Sequence, residues 1–425
     1  MARQQESIPE HSELCPYCDT FVEIPTINEG ERFCCPCCHN GIISLHKNPV
    51  LKPFIHALIA LFLFICTELI PFIEINCSGV SVQMNIRETV TNLYDSDYKI
   101  ISIFVYLFIQ VIPLFCVLSI LLINGSILFH RTNRITNFFA RQFFLLKEWT
   151  MVDVFLIGIL VSLIKLYSMV DVTLLGGFFC FALFSYFYIS SVSAQQKYFI
   201  WSKLKKRNKF KYDLKNIGHS GIKEHLVLCD NCHTINEEVN TKCVVCNYKI
   251  RPRKNHSLQK SLAFLIAAIL LYIPSNIFPM MITVYLGSTS YSTILEGVQF
   301  MWTTNSYTVA VIIFIASILI PILKIAILVF LIYSIYFCKN TRLIGKTKLY
   351  RMTEFIGKWS MVDVFVVTIM STLIQMGSLL SIYPGVGSVS FCSVVLLTML
   401  SANSLDIREL WVEESEKIKE KKAVF

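Results

Sequence analysis

Apolar residues fill long, uninterrupted runs of this chain, and short polar segments separate the runs. Those at 54–73, 101–123 and 308–337 are long enough to cross about 30 Å of hydrocarbon, at about 1.5 Å of helical rise per residue. The pattern predicts an all-α polytopic membrane protein with spanning segments at 54–75, 101–129, 150–170, 172–194, 258–282, 306–338, 359–382 and 386–403. Pro113 and Pro321 lie inside two of them, where the missing backbone N–H predicts a kink.

The second half of the chain repeats the first. Two motifs recur in the same order, as Ile112-Pro113 with Ile320-Pro321 and as Trp149-Thr-Met-Val-Asp153-Val-Phe155 with Trp359-Ser-Met-Val-Asp363-Val-Phe365. Such self-similarity indicates tandem copies of one unit. Because four crossings return each copy to its starting side, we predict two four-helix modules in a parallel repeat about a pseudo-twofold axis along the membrane normal.

Basic residues are concentrated in three of the polar segments. The segments 130–149, 197–215 and 339–358 are rich in Lys and Arg, whereas 283–305 contains neither and 76–100 balances them with acidic residues. Since short cytoplasmic loops carry the excess of positive charge, both termini are expected in the cytoplasm. The segments 76–100 and 283–305 are then expected to form small extracytoplasmic caps.

Composition supports the membrane assignment and argues against a nucleic-acid partner. Only 16% of the residues are charged and the mean hydropathy is +0.58, which leaves too much apolar surface for a water-soluble fold of this length. The formal net charge of +9 reflects the basic cytoplasmic loops. No cleavable signal peptide is expected, because polar residues and cysteines precede the first apolar run.

Paired cysteines precede each module. Cys229-Asp-Asn-Cys232 and Cys243-Val-Val-Cys246 have the spacing at which two turns offer four thiolates to one zinc ion. The N-terminal group has Cys15 and Cys18, followed by Cys34-Cys35-Pro-Cys37-Cys38, which contains two overlapping choices of ligand pair. Cys35 and Cys38 are preferred, because proline then follows the first ligand in both turns, and Cys34 with Cys37 is the alternative.

Two structural zinc ions are therefore predicted. A disulfide is disfavoured in a reducing cytoplasm, and complete tetrathiolate sets are typical of closed structural sites rather than catalytic ones. His39 and His233 are expected at the surface rather than on the metal. The predicted ligands are Cys15, Cys18, Cys35, Cys38, Cys229, Cys232, Cys243 and Cys246.

These patterns divide the chain into five parts. A zinc-knuckle domain of the zinc-ribbon or rubredoxin-like kind precedes each transmembrane module, and a cytoplasmic tail follows the second module. The tail alternates Glu and Lys over 413–422 without an apolar face, so it is expected to be solvated. In chain order the parts are 1–48, 49–200, 201–255, 256–404 and 405–425.

Ionisable residues inside spanning segments are functional candidates, because each costs about 2.5–3.5 kcal/mol at the centre of a membrane helix. Lys324 shares a helix face with Ser317, and Asp363 shares one with Ser360. We predict a polar network of Lys324, Asp363, Ser317, Ser360 and Thr398. In the alternative, Asp363 caps its helix at the cytoplasmic interface and Lys324 extends its amine towards water.

The first copy differs from the second at this network. It retains Asp153 but places Cys116 opposite Lys324 in the repeat register. The same ion pair therefore cannot form there. Lys165 is a separate charge of the first copy, expected to face a water-filled space or the outer headgroups.

The second half of the chain contains further motifs, namely Asn255-His-Ser-Leu-Gln259, Leu271-Tyr-Ile-Pro-Ser-Asn276-Ile-Phe-Pro279, Leu286-Gly-Ser288, Ser292-Thr-Ile-Leu-Glu-Gly297, Pro321-Ile-Leu-Lys324 and Ser381-Ile-Tyr-Pro384. With the paired cysteines and the two Trp-x-Met-Val-Asp motifs, they make nearly the whole chain resemble the paraquat-inducible protein A family, and within it the LetA-like members. One departure is Cys34-Cys35-Pro-Cys37-Cys38-His39, where the family has a single Cys-Pro-x-Cys-Gly.

The resemblance implies a multi-pass protein of the bacterial inner membrane. It implies an MCE-domain tunnel protein of the LetB-like kind as partner, phospholipids as cargo carried between the inner and outer membranes, and a functional role for the five network positions. No enzyme activity is expected, because closed zinc sites offer no exposed reactive thiol pair. The alternatives are a redox or oxidative-stress protein that uses its cysteine pairs, and a small-solute transporter.

Overall fold

The chain folds into two ribbon domains and two helical modules in alternating order. The structure is a computed structural model that describes residues 7–77, 80–87, 91, 94, 99–131, 133–167, 171–204, 220–285, 287–303, 305, 307–337, 342–373 and 380–411. The N-terminal ribbon domain consists of β1 (Ser7–Ile8), β2 (His11–Leu14), β3 (Phe21–Ile24), β4 (Ile27–Asn28), β5 (Arg32–Cys34) and β6 (Gly41–Ser44). These strands pair antiparallel as β1 with β4, β2 with β3 and β5 with β6.

The first module combines helices with a small sheet. Its elements are α1 (Leu51–Leu69), β7 (Ile73–Cys77), β8 (Val80–Met84), α2 (Lys99–Tyr106), α3 (Ile112–Leu128), α4 (Arg134–Leu146), α5 (Val152–Tyr167), β9 (Asp171–Leu174), α6 (Gly176–Ser193) and α7 (Lys197–Leu204). A π-helical turn at Leu107–Val111 joins α2 to α3. The strands form an antiparallel sheet of order β8-β7-β9, in which Ile73 pairs with Met84 and Leu174.

The second half repeats this order. It consists of β10 (Leu226–Leu228), β11 (Ile235–Glu237), α8 (Ser257–Ile277), β12 (Met281–Tyr285), β13 (Ser288–Ser292), α9 (Ile294–Thr303), α10 (Tyr307–Phe314), α11 (Ile320–Phe337), α12 (Leu343–Trp359), α13 (Val362–Leu373), β14 (Leu380–Pro384) and α14 (Val386–Ser404). The π-helical turn recurs at Ile315–Leu319. The sheet recurs as β13-β12-β14, so the repeat read from the sequence is a repeat of structure.

Each π-helical turn has a proline as its cause. In a regular α-helix the backbone N–H of residue 321 would donate to the carbonyl of Ser317, and that of residue 113 would donate to the carbonyl of Ile109. Both residues are prolines. Neither proline has this hydrogen, and its ring also crowds the preceding turn. The kinks predicted from the sequence therefore take the form of widened turns, a common place for functional sites in helices.

The outer surfaces of the modules are more apolar than their inner surfaces. Along α1, Leu58, Phe62 and Leu69 are 54%, 65% and 74% exposed, whereas Ala57 and Thr67 are buried. Large apolar side chains point outwards, whereas small and polar side chains point inwards. This arrangement is expected for a protein in lipid rather than in water. The protein is therefore a multi-pass membrane protein.

Six of the described helices are long and apolar enough to cross a membrane, rather than the eight predicted. They are Leu51–Leu69, Ser102–Leu128, Gly176–Ser193, Ser257–Ile277, Ala310–Phe337 and Val386–Ser404. The helix in the third predicted span of each module is shorter: α5 has 16 residues and α13 has 12. Residues 168–170 and 374–379, which follow these helices, lie outside the described part of the chain, so the remaining two crossings stay a prediction.

Four predicted spans include residues of the outer strands. The segments 54–75 and 258–282 end in β7 and β12, the segment 172–194 begins in β9, and the segment 359–382 ends in β14. Strands β9 and β14 pair with β7 and β12 in the outer sheets. Apolar strand residues next to an apolar helix cannot be told from it by hydropathy alone.

The basic segments 130–149 and 339–358 are mostly helical rather than loops, because they contain α4 and α12. The beginning of the predicted tail is also ordered. Residues Ile407–Trp411 form a short 3-10 helix with four buried side chains, and the backbone N–H of Asp406 donates to the hydroxyl of Ser257. The Glu- and Lys-rich stretch 413–422 lies outside the described residues.

One glycine in each module allows the helix of the last predicted span, α6 or α14, to pack against the end of the first helix, α1 or α8. The N–H of Gly177 donates to the carbonyl of Pro71 at 3.1 Å, and that of Gly387 donates to Pro279 at 3.0 Å. A Cβ at either position would lie 2.6 Å from a carbonyl oxygen. Only glycine allows this approach, and both copies use it.

The two modules meet through helices α5 and α13. Phe155 packs edge-to-face on Phe365, and a Cβ on Gly158 would lie 3.0 Å from the Cβ of Phe365.

We predict that Gly158→Leu lowers the thermal unfolding midpoint in detergent, because overpacking typically costs about 1–3 kcal/mol. The matched control is Gly345→Leu in α12, whose added Cβ meets nothing within 4 Å. Equal midpoints for the two variants would contradict this interface.

Candidate functional site

The eight cysteines predicted as ligands come together in two groups of four. Within each group every Sγ atom lies within 4.8 Å of the others, and all eight side chains are buried. The Sγ–Sγ distance is 3.6 Å for Cys15–Cys38 and for Cys18–Cys35. It is 3.5 Å for Cys229–Cys246 and 3.4 Å for Cys232–Cys243. A zinc–sulfur distance of about 2.3 Å gives tetrahedral edges of about 3.8 Å, so the spacing fits a bound ion.

The backbone of the four cysteine turns explains which residues converge. The residue after each second cysteine has a positive φ: 59° at Asp19, 57° at His39, 54° at His233 and 56° at Asn247. Its N–H donates to the carbonyl of the first cysteine at 2.9 Å in every turn. One of these turns runs from Cys35 to His39, which directs Cys35 and Cys38 inwards and leaves Cys34 exposed.

Polar side chains next to the sulfurs favour the thiolate form. The amide of Asn40 donates to Cys38 Sγ at 3.4 Å, and that of Asn236 donates to Cys243 Sγ at 3.6 Å. The hydroxyl of Thr20 lies 3.2 Å from Cys18 Sγ, where it can donate to a thiolate. Such outer hydrogen bonds orient metal ligands and stabilise their charge.

The two ribbon domains pack against each other as one unit. Thr20 forms a β-bridge with Ser220, and the fully buried Glu13 accepts a hydrogen bond from His233 at 2.8 Å. Burial raises the pKa of Glu13, but hydrogen bonds from His11 and His233 outweigh it and hold that pKa below its usual range. His233, expected at the surface, is thus largely enclosed between the domains.

Lys324 lies in α11 and is 2% exposed. Its Nζ atom makes no hydrogen bond within the part of the chain that the structure describes. Gly357 of α12 forms the adjacent wall, since a Cβ placed there would lie 3.1 Å from Nζ. The amine is therefore enclosed rather than extended to the surface, and any side chain at 357 would displace it.

The three hydroxyls of the predicted network are all buried, at 0% exposure for Ser317, 1% for Ser360 and 2% for Thr398. Ser360 and Thr398 each donate to a backbone carbonyl three residues earlier, at 2.9 Å. Ser317 lies in the second π-helical turn, and its Oγ atom has no hydrogen-bond partner among the described residues. The network is thus not closed by hydrogen bonds between these side chains, although each oxygen keeps lone pairs that can face a cation.

Asp363 lies in α13, beside the contact between the modules. Its side chain is outside the described part of the structure, so the ion pair with Lys324 stays a prediction. The Lys165 side chain is likewise outside the described residues.

In the first copy, a small residue occupies the position of Lys324 and a lysine occupies the position of Gly357. By the register of the two tryptophan motifs, Lys147 corresponds to Gly357, and by the register of the two Ile-Pro pairs, Cys116 corresponds to Lys324. Lys147 Nζ donates to the carbonyl of Gln195 at 3.4 Å, and Cys116 is completely buried. The role of Gly357 was missed from the sequence, although its alignment with a lysine two residues before the tryptophan is a signal that could have found it.

Comparisons with known proteins agree over nearly the whole chain. The model of the family described as Paraquat-inducible protein A matches residues 51–205 and 258–414. The chain is 35% identical over 410 residues to the Intermembrane transport protein PqiA of Escherichia coli strain K12, covering 95% of this chain and 96% of that protein. It is 30% identical over 400 residues to the Lipophilic envelope-spanning tunnel protein A of the same strain, covering 93% and 90%.

A Probable intermembrane transport protein of Haemophilus influenzae is 26% identical over 411 residues, covering 93% of this chain and 95% of that protein. Of the two Escherichia coli proteins, PqiA has the higher identity to this chain, whereas the sequence motifs indicate LetA-like members. No solved structure matches the chain.

The ligand register gives a direct prediction. Cys35→Ser removes a sulfur that lies 3.6 Å from Cys18 Sγ, so bound metal measured by elemental analysis should fall from two ions per chain to one. Cys34→Ser is the matched control, because the Cys34 side chain is exposed and lies outside both groups of four. Metal loss in Cys34→Ser, with full metal content in Cys35→Ser, would show that the other register is used.

Proposed function

The chain belongs to the paraquat-inducible protein A family, and from this membership and the two-module membrane fold we propose that it is an inner-membrane component of lipid transport across a bacterial cell envelope. It loads phospholipids into, or unloads them from, an MCE-domain tunnel protein in the periplasm. The observation that carries the proposal is the similarity along more than nine-tenths of the chain to proteins named for intermembrane transport and for an envelope-spanning lipophilic tunnel.

The fold suits a lipid better than an ion. Both modules present apolar side chains outwards and widen one helix at a proline, which allows an acyl chain to approach from the bilayer side. Ion selectivity would call for rings of charged groups or carbonyls around a pore. Lys324 is instead one buried cation inside the apolar helical segment Ala310–Phe337 of the second module, which also contains the buried Ser317.

The orientation follows from charge. The basic helices α4 and α12 lie at the same ends of the modules as the ribbon domains, where Arg351 donates to Asn40 at 2.7 Å and Asn231 donates to the carbonyl of Arg141 at 3.0 Å. Positive segments stay in the cytoplasm, so the ribbon domains are cytoplasmic and the sheets are periplasmic. The eight thiols hold two structural zinc ions, each of which fixes a ribbon domain that has a very small core.

The periplasmic sheets are the surfaces that meet the tunnel protein. A photo-crosslinking residue in place of Tyr291, which is 64% exposed on the edge strand β13, should trap the MCE-domain partner in intact cells. The control is the same residue in place of Val239, which is 88% exposed in the second ribbon domain and should not trap it. Capture from Val239 alone would reverse the proposed orientation.

Lys324 and Asp363 act as a pair in transport. Breaking a buried ion pair commonly costs about 3–5 kcal/mol, whereas replacing both members by apolar residues can be nearly neutral. We therefore expect Lys324→Met and Asp363→Leu to lower protein abundance when introduced singly, and the double variant to recover abundance without recovering transport. Abundance is measured by immunoblot and transport by growth under outer-membrane stress. Full activity of a well-expressed double variant would show that the pair only supports folding.

A further inference from the structure

A cavity of about 430 Å³ reaches Lys324 from the side of the ribbon domains. Both modules contribute to its wall: Glu148 and Asp153 come from the first, while Lys324 and Gly357 come from the second. The side chain of Lys324 thus lines a space that also contains carboxylates of the other copy of the repeat, although its Nζ atom is itself enclosed. None of the described residues of the outer sheets lines this space.

The cavity continues towards the surface at the ribbon domains. A neighbouring cavity of about 500 Å³ lies between these domains and the modules, and the two cavities share Tyr17, Glu148, Glu354 and Asn403. Glu148 and Asn403 are exposed to solvent. The shared residues therefore form a mouth through which solvent passes to the inner cavity.

Size and polarity decide what occupies the inner cavity. At about 30 Å³ per molecule, 430 Å³ holds about fourteen waters. Among the described residues, its wall carries two cations, from Lys324 and Arg351, and three carboxylates, from Glu148, Asp153 and Glu354. Acyl chains avoid such charged groups. Water and protons fit this space, and a lipid tail does not.

We propose that this cavity is an aqueous route by which protons pass between the cytoplasm and Lys324, with Asp153 of the first module as the facing carboxylate. A proton that leaves the Lys324 ammonium passes through cavity water to a carboxylate and then to bulk water, and leaves a neutral amine. The route rests on the proposed role of Lys324 in transport and extends it. It also assigns a function to Asp153, which has no lysine partner at the matching position of its own module.

Glu354 has the surroundings of a relay group at the mouth. Partial removal from water raises the pKa of its carboxyl, the Tyr350 hydrogen bond lowers it, and the charge of Glu148 raises it again. Lys254 and Arg351 also face this carboxyl and lower its pKa, but the net shift is upwards. A carboxyl with a raised pKa exchanges protons with water closer to neutral pH than an ordinary glutamate does.

Thiol labelling of the full-length protein tests the route without measuring transport. In Lys324→Cys, a membrane-impermeant cationic methanethiosulfonate should modify position 324 in inside-out vesicles but not in right-side-out vesicles. Peptide mass spectrometry reads each cysteine separately, so native Cys116 serves as the internal control. It occupies the matching position of the first copy, is fully buried, and should stay unmodified.

A charge at the mouth identifies the path. Adding Asn403→Lys should slow the cationic reagent at position 324 by several-fold and accelerate an anionic one, whereas Val239→Lys, on the remote surface of the second ribbon domain, should change neither rate. If metal content shows that Lys324→Cys does not fold, Gly357→Cys samples the same wall. Labelling only from right-side-out vesicles, or no labelling of a folded variant from either side, would overturn the route. Either result would leave the proposed lipid transport standing.

Discussion

Hydrocarbon offers no partner to a charged group, and one ammonium in an apolar helix places the strongest demand on this structure. Lys324 lies in α11 next to Gly357, which leaves room for the amine. The buried hydroxyls of Ser317, Ser360 and Thr398 are the partners that we predict for it. A charge in that environment needs protein groups or water to replace its hydration. The polar interior and the cavity beside it both answer this need.

The two copies show which features belong to the scaffold and which to the site. Both have the π-helical turn before a proline, the three-stranded outer sheet and the glycine that docks the fourth helix on the first. Only the second copy places a lysine after its π-helical turn, and the first copy instead has Lys147 directly after α4. The scaffold is therefore symmetric, whereas the charge is not, and Asp153 links the halves by bordering the cavity of Lys324.

Sequence patterns predict the parts of this protein that obey a period or a spacing. Apolar runs give the long helices, the tryptophan motifs give the repeat, and the C-x2-C pairs give the two cysteine clusters. The patterns fail where two physical signals coincide. Apolar residues of strands β7, β9, β12 and β14 lie next to apolar helices, and helices α4 and α12 carry so many charges that hydropathy assigns them to loops. Gly357 and the cavity depend on contacts between distant segments, which no single sequence displays.

Transfer of phospholipid from the membrane to the partner is the measurement that tests the proposed lipid transport. The purified protein is reconstituted into liposomes that contain a labelled phospholipid, and the soluble domain of the MCE-domain partner is added outside. Label bound to the re-isolated partner is then measured against protein-free liposomes. We expect the partner to acquire label several times faster from proteoliposomes, and the well-folded Lys324→Met, Asp363→Leu variant to return the rate to that of protein-free liposomes. Equal rates with and without the wild-type protein, in the presence of a demonstrated complex, would contradict a role in lipid transport.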